Sequence, residues 1–93
     1  MRLISNKALR EFSGFHPEAE SPLQGWRRVV EGGQFANFAE LKRSFHAVDK
    51  AGGYFVFNIG GNNFRLIAAV LFNTQILYVR AVLTHAEYDD WRP

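Results

Sequence analysis

The chain has no cysteine among its 93 residues, which excludes disulfides, thiolate metal sites and a cysteine nucleophile. That fits a reducing compartment. No apolar run approaches the ~18 residues of a membrane span, because Arg80 and the Asn73–Gln75 stretch interrupt the longest one. The opening Met1-Arg-Leu-Ile-Ser-Asn-Lys7 lacks the apolar core of a secretory signal, so we expect a cytoplasmic protein with no membrane partner. Lysine is scarce. The most informative absence is acidic: from Lys50 to Ala86 there is no Asp or Glu, although Lys50, Arg65 and Arg80 are present. Five of the nine acids precede Leu41, three follow Ala86, and only Asp49 lies between. A net charge of +2 is too small to assign a nucleic-acid partner, so the distribution has to carry that inference.

Apolar residues make up 47% of the chain, and nine are Phe, which marks a globular domain rather than a disordered one. Neither an internal repeat nor a linker divides it, so residues 1–93 are expected to form one domain. Arg2–Ile4 reads as a short first strand. Ser5 is suited to cap a helix on which Ala8, Leu9 and Phe12 recur at helical spacing until Gly14. A second helix carries Ala19, Leu23, Trp26 and Val30 as one stripe. Pro22 either bends it or stands at its first position behind a Ser21 cap. Gly32-Gly33 ends it. Asn37-Phe-Ala-Glu40 has the pattern of a capping box for a short third helix through Arg43, with Phe38 and Leu41 inward.

From Gly52 the apolar period becomes two. Gly60-Gly61 is a two-residue hairpin signal, which would set Asn58 opposite Asn63, Phe57 opposite Phe64 and Val56 opposite Arg65. A second turn at Asn73-Thr74 would pair Val70 with Leu77, Ala69 with Tyr78, Ile67 with Arg80 and Arg65 with Val82. One sheet face then collects Phe55, Phe57, Phe64, Leu66, Ala68, Val70, Leu77, Val79, Ala81 and Leu83. The other collects Tyr54, Asn58, Asn63, Arg65, Tyr78, Arg80 and Thr84. With the helices on the Phe-rich face, an α+β two-layer fold results, and the polar face is left open.

On this register Arg65 and Arg80 are near-diagonal neighbours, within roughly 8 Å at the backbone. Two guanidinium groups without a carboxylate in their strands call for an anion, and their planar forks suit phosphate oxygens. The alternative is that Glu87, Asp89 or Asp90 reaches back to neutralise them. His85 and Tyr88 stand three apart, so a helical turn after the last strand would put them on one side. Histidine as a residue type is best matched to proton transfer near neutral pH, and tyrosine can donate a proton or bind phosphate. By spacing alone H-x-x-Y is a weak signal, and a satisfied surface histidine is the more frequent outcome. Lys42 and Arg43 could extend a basic rim or simply favour a helix C-terminus. Arg27 and Arg28 read as a solvated face, and Trp26 as core. His16, His46 and His85 have no metal-ligand spacing, so no metal and no cofactor are expected.

These residues carry a resemblance. Ile4-Ser-Asn-Lys-Ala-Leu-Arg10, Asn37-Phe-Ala-Glu-Leu-Lys42, Tyr54-Phe-Val-Phe-Asn-Ile-Gly-Gly-Asn62, Phe64-Arg-Leu-Ile67, Val79-Arg80 and Thr84-His-Ala-Glu-Tyr-Asp89 together resemble the HigB-type toxins of bacterial type II toxin–antitoxin modules, within the RelE-like superfamily. The resemblance implies helices on one side of a small antiparallel sheet. It also implies a metal-independent, ribosome-dependent endoribonuclease that cuts translated mRNA in the ribosomal A site. A HigA-type helix-turn-helix antitoxin would neutralise it. Carried over by position, the catalytic set is Arg65, Arg80, His85 and Tyr88, with Lys42, Asn58, Arg43 and Tyr78 on the substrate. His46 stands where a proline is expected, and the scarcity of lysine departs from RelE-like members that use lysine as a catalytic cation. Two other readings share the fold: a ParE-type toxin acting on DNA gyrase, and a non-catalytic member that binds RNA and antitoxin only.

Overall fold

The computed structural model describes residues 1–92. Its strands are β1 (Arg2–Ile4), β2 (Asp49–Ala51), β3 (Tyr54–Ile59), β4 (Phe64–Leu71) and β5 (Ile76–Thr84), and its helices are α1 (Asn6–Phe15), α2 (Glu20–Gly32), α3 (Phe38–Ser44) and α4 (His85–Asp90). The sheet order is β1-β5-β4-β3-β2, antiparallel throughout except where β1 runs parallel to β5.

Helix ends follow local chemistry. Ser5 has the extended backbone of a cap, but its side chain makes no capping hydrogen bond. A 3-10 turn at Pro17–Ala19 leads into α2, whose cap is Ala19 rather than Ser21. Pro22 lies in the first turn of α2, where backbone N–H groups have no helical acceptor, so the helix is not broken. The Asn37 side chain accepts from the Glu40 amide at 3.0 Å, and Glu40 reaches back to the Ala36 amide at 2.9 Å, one residue earlier than a capping box requires. The stripe of α2 is core as expected, with Ala19, Leu23, Trp26 and Val30 buried. These residues join Leu9, Leu41, Phe57, Leu66, Ala68 and Leu77 in one apolar cluster between helices and sheet. Full burial of each such aliphatic side chain contributes about 1.5–3 kcal/mol.

The first hairpin turn is longer than its glycines suggested. Asn58 lies opposite Arg65, Phe57 opposite Leu66 and Ile59 opposite Phe64, so Gly60-Gly61-Asn62-Asn63 all belong to the turn. Gly60 (φ 61°) and Gly61 (φ 69°) occupy the left-handed region, which suits glycine. The shift moves each partner by two residues, so every β3 and β4 side chain keeps its expected face. The second turn is placed as expected, and Val70–Leu77 and Ala69–Tyr78 pair. A bulge then interrupts the ladder: Ala68 faces Val79, but Ile67 faces Ala81, leaving Arg80 as the extra residue. Beyond it the faces exchange. Val82 and Thr84 turn towards the helices, while Ala81 and Leu83 join the Arg65 face, the reverse of what unbroken alternation requires.

That face is left open only in part. Val56 and Ile67 lie on it by register, yet are 4% and 0% exposed and stand outside the helix-side cluster. The cover is α4 with Trp91, folded back across β3 and β4. Trp91 meets the Tyr54 ring edge-on at 6.1 Å, and Tyr88 lies over Arg65.

Candidate active site

Arg65 is the centre of the covered half. It is 9% exposed and has no carboxylate partner among the described residues. A buried cation must be hydrogen-bonded to be tolerated. The Arg65 guanidinium donates to the backbone oxygens of Asn62 (3.0 Å) and Phe64 (3.2 Å), with a longer contact to Asn62 Oδ1 (3.5 Å). Its carbon lies 5.6 Å from the centre of the Tyr88 ring, a cation–π placement. Every partner is neutral, so the positive charge is solvated but not cancelled. The neutralisation by Glu87, Asp89 or Asp90 left open by the sequence does not occur: Glu87 is occupied with the Thr84 amide, and no Arg65 or Arg80 ion pair forms among the described residues.

The turn after β3 assembles this centre. Asn58, opposite Arg65, donates through its side-chain amide to Asn62 Oδ1 at 3.3 Å. The Asn63 carbonyl accepts from the His85 amide at 3.1 Å, tying the start of α4 to the same turn. Thr84 and Glu87 form a reciprocal capping box at 2.8 and 3.1 Å, so the six-residue α4 has a defined start. His85 is exposed at its first position and Tyr88 half-buried one turn later. Trp91 stacks on Tyr88 with ring centres 5.9 Å apart and 19° between planes, while meeting Tyr54 across the sheet.

The structure therefore gathers Arg65, Tyr88 and Asn58, with His85 at the edge of the same cluster. It keeps the other candidates apart. Arg80 shares the face, by alternation from Val79, but is exposed at the bulge. Leu83, not Val82, stands opposite Arg65, so Arg80 is three residues away along β5, on the order of 10 Å. Tyr78 is also exposed on this face. Lys42 and Arg43 lie on the helix side of the sheet. Lys42 donates to the Val48 carbonyl at 2.9 Å, near the Phe38 ring that packs on Phe55. A shallow hollow of about 420 Å³ there is lined by Ala39, Lys42, Arg43 and His46. Among the described residues no three His, Cys, Asp or Glu side chains are grouped to hold a metal ion.

Asn62 and Trp91 escaped the sequence reading. A two-residue turn at Gly60-Gly61 puts Asn62 at the start of the next strand, whereas two asparagines directly after Gly-Gly are a cue to the longer turn. Trp91 follows Tyr88 by three residues, the same helical spacing that linked His85 to Tyr88.

Chemically, the site offers a fixed cation, a phenol above it and an imidazole on the rim. That is equipment for binding a phosphate and moving a proton beside it. Comparisons with known proteins bear on the family. The family model described as HigB_toxin, the RelE-like toxic component of a toxin–antitoxin system, matches residues 19–91. An mRNA interferase toxin HigB of Escherichia coli (strain K12) is 36% identical over 92 positions, covering 96% of this chain and 88% of its own. An mRNA interferase HigB of Shigella flexneri matches at the same identity and coverage, and one of Escherichia coli O6:H1 at 29%.

Proposed function

This chain belongs to the HigB family of RelE-like toxins, and we propose that it is an mRNA interferase, an endoribonuclease that inhibits translation by cutting messenger RNA. The observation that carries the site assignment is Arg65: a nearly buried guanidinium, uncancelled by any carboxylate among the described residues and capped by Tyr88.

The reaction consistent with these groups begins with the RNA 2′-oxygen attacking the adjacent phosphorus. The bond from phosphorus to the 5′-oxygen breaks, leaving a 2′,3′-cyclic phosphate and a 5′-hydroxyl. One proton leaves the 2′-oxygen and one reaches the departing 5′-oxygen. His85 and Tyr88 exchange these protons, a contribution of ~10²–10⁴-fold for general acid–base help. Arg65 stabilises the extra negative charge of the phosphorane, and a preorganised donor of this kind is worth ~10²–10³-fold. Arg80 approaches the strand from the bulge. So few groups leave strand alignment to another body, which supports the expected dependence on the ribosome. A helix-turn-helix antitoxin is the partner that the toxin–antitoxin family calls for.

The test is to add purified protein to a translating ribosome mixture and map mRNA ends, comparing wild type with Arg65→Ala and His85→Ala. New 5′-hydroxyl ends in wild type, lost in both variants, are expected. Cleavage unchanged in both would remove the site assignment. Intact mRNA together with lost gyrase supercoiling would favour the ParE-type reading instead.

A further inference from the structure

Away from α4, the outer sheet face is bare. By register, Arg2 on β1 and Tyr78 and Arg80 on β5 lie on the same side as Arg65, and all three are exposed. No acidic residue occurs in β1, β4 or β5, and neither arginine is paired with a carboxylate among the described residues. Tyr78, at 40% exposure, is one of only a few large hydrophobics so open to solvent. Charged edge strands discourage sheet-to-sheet aggregation, which accounts for Arg2. It does not account for Tyr78, which has β1 on one side and β4 on the other, whereas Arg80 lies past the end of β1, where β5 is itself an edge.

The spacing is informative. Arg2 lies opposite Ile76 and Ile4 opposite Tyr78, so Arg2 and Arg80 are offset by four residues, about 13 Å along the strands, with Tyr78 between them. Two uncancelled cations flanking an exposed ring match a ligand that presents phosphates and π-faces along its length. A single nucleic-acid strand does so, whereas a duplex hides its base faces. The strip ends beside the covered site, since Arg80 is three residues from the position opposite Arg65.

We propose that Arg2, Tyr78 and Arg80 form a track for single-stranded RNA leading to the Arg65 site, the arginines holding backbone phosphates and Tyr78 stacking a base. The identity of the strand as message rests on the interferase reading; the binding itself does not. Arg80 is on this account a strand-positioning residue.

A fluorescein-labelled 2′-O-methyl RNA 12-mer, whose nucleophile is blocked, reports binding by anisotropy across a salt series. Tyr78→Ala is expected to weaken binding roughly 5- to 100-fold while Tyr78→Phe retains it, because stacking needs the ring and not the hydroxyl. Arg2→Ala and Arg80→Ala should each reduce the salt slope by roughly 0.7, one phosphate contact apiece. Arg28→Ala, on the solvated side of α2, serves as the equal-charge control and should bind as wild type. All three track side chains are exposed, so melting curves should match wild type. Wild-type affinity and slope in the three variants, or no wild-type binding at low salt, would overturn the track; the former would assign the strip to a protein partner. Binding lost in the variants while wild type leaves ribosomal mRNA intact would keep the track and remove the nuclease.

Discussion

Two halves of one sheet face have become different surfaces. Over β3 and β4 the face is covered: Val56 and Ile67 are buried, Arg65 is held by carbonyl oxygens, and Tyr88 and Trp91 lie above. Along β5 and β1 it is bare, and Tyr78, Arg80 and Arg2 meet solvent. Strand alternation treats both halves alike. The difference comes from where the six residues of α4 fold, and it separates a held cation from an exposed one. A guanidinium with bonded partners loses little freedom on meeting an anion, whereas an exposed one can follow a flexible strand.

The largest expected contrast is in stability. Ile67→Ala should destabilise by about 2–5 kcal/mol, as a fully buried aliphatic does, while Leu71→Ala, exposed at the last position of β4, should stay within about 0.5 kcal/mol. Chemical denaturation measures both, and equal effects would mean that α4 does not shield the covered half. Next in size, Arg65→Ala should lower cleavage by about 10²–10³-fold. Arg80→Ala should cost roughly tenfold, as loss of one charge-assisted contact does, and should do so through KM. Matching losses in kcat would place both arginines at one phosphate. Trp91→Ala removes two ring pairs worth about 0.5–1.5 kcal/mol each, so it should loosen α4, with faster amide exchange at Tyr88 and no change at Tyr78. The smallest is Thr84→Ala, which removes a cap worth about 1 kcal/mol and should fray α4 by the same measure.

Much of this was legible in advance. The stripe Ala19, Leu23, Trp26, Val30 is a periodicity, and a helix that must bury one face has no other way to satisfy it. The parity of β3 and β4 survived even a wrong turn length, because a shift of two residues leaves every side chain on its face. Alternation failed at Arg80. A bulge depends on the fit between two strands, and Val79-Arg80-Ala81 by itself carries no mark of it. The parallel pairing of β1 with β5 was invisible for the same reason, since partners that far apart in sequence share no local signal.

The candidate site divides along the same line. Its ingredients were readable: arginines in strands without acids, and an H-x-x-Y segment after them, are facts of composition and order. What brought Arg65 beneath Tyr88, tied His85 to the turn through Asn63, and left Lys42 and Arg43 on the far side of the sheet was tertiary. Local sequence determined which residues share a strand face, because side-chain direction is set by backbone geometry within a few residues. Only the folded chain decided which part of that face is covered, because cover requires a distant segment to find enough apolar surface, here Val56 and Ile67, to hold it there.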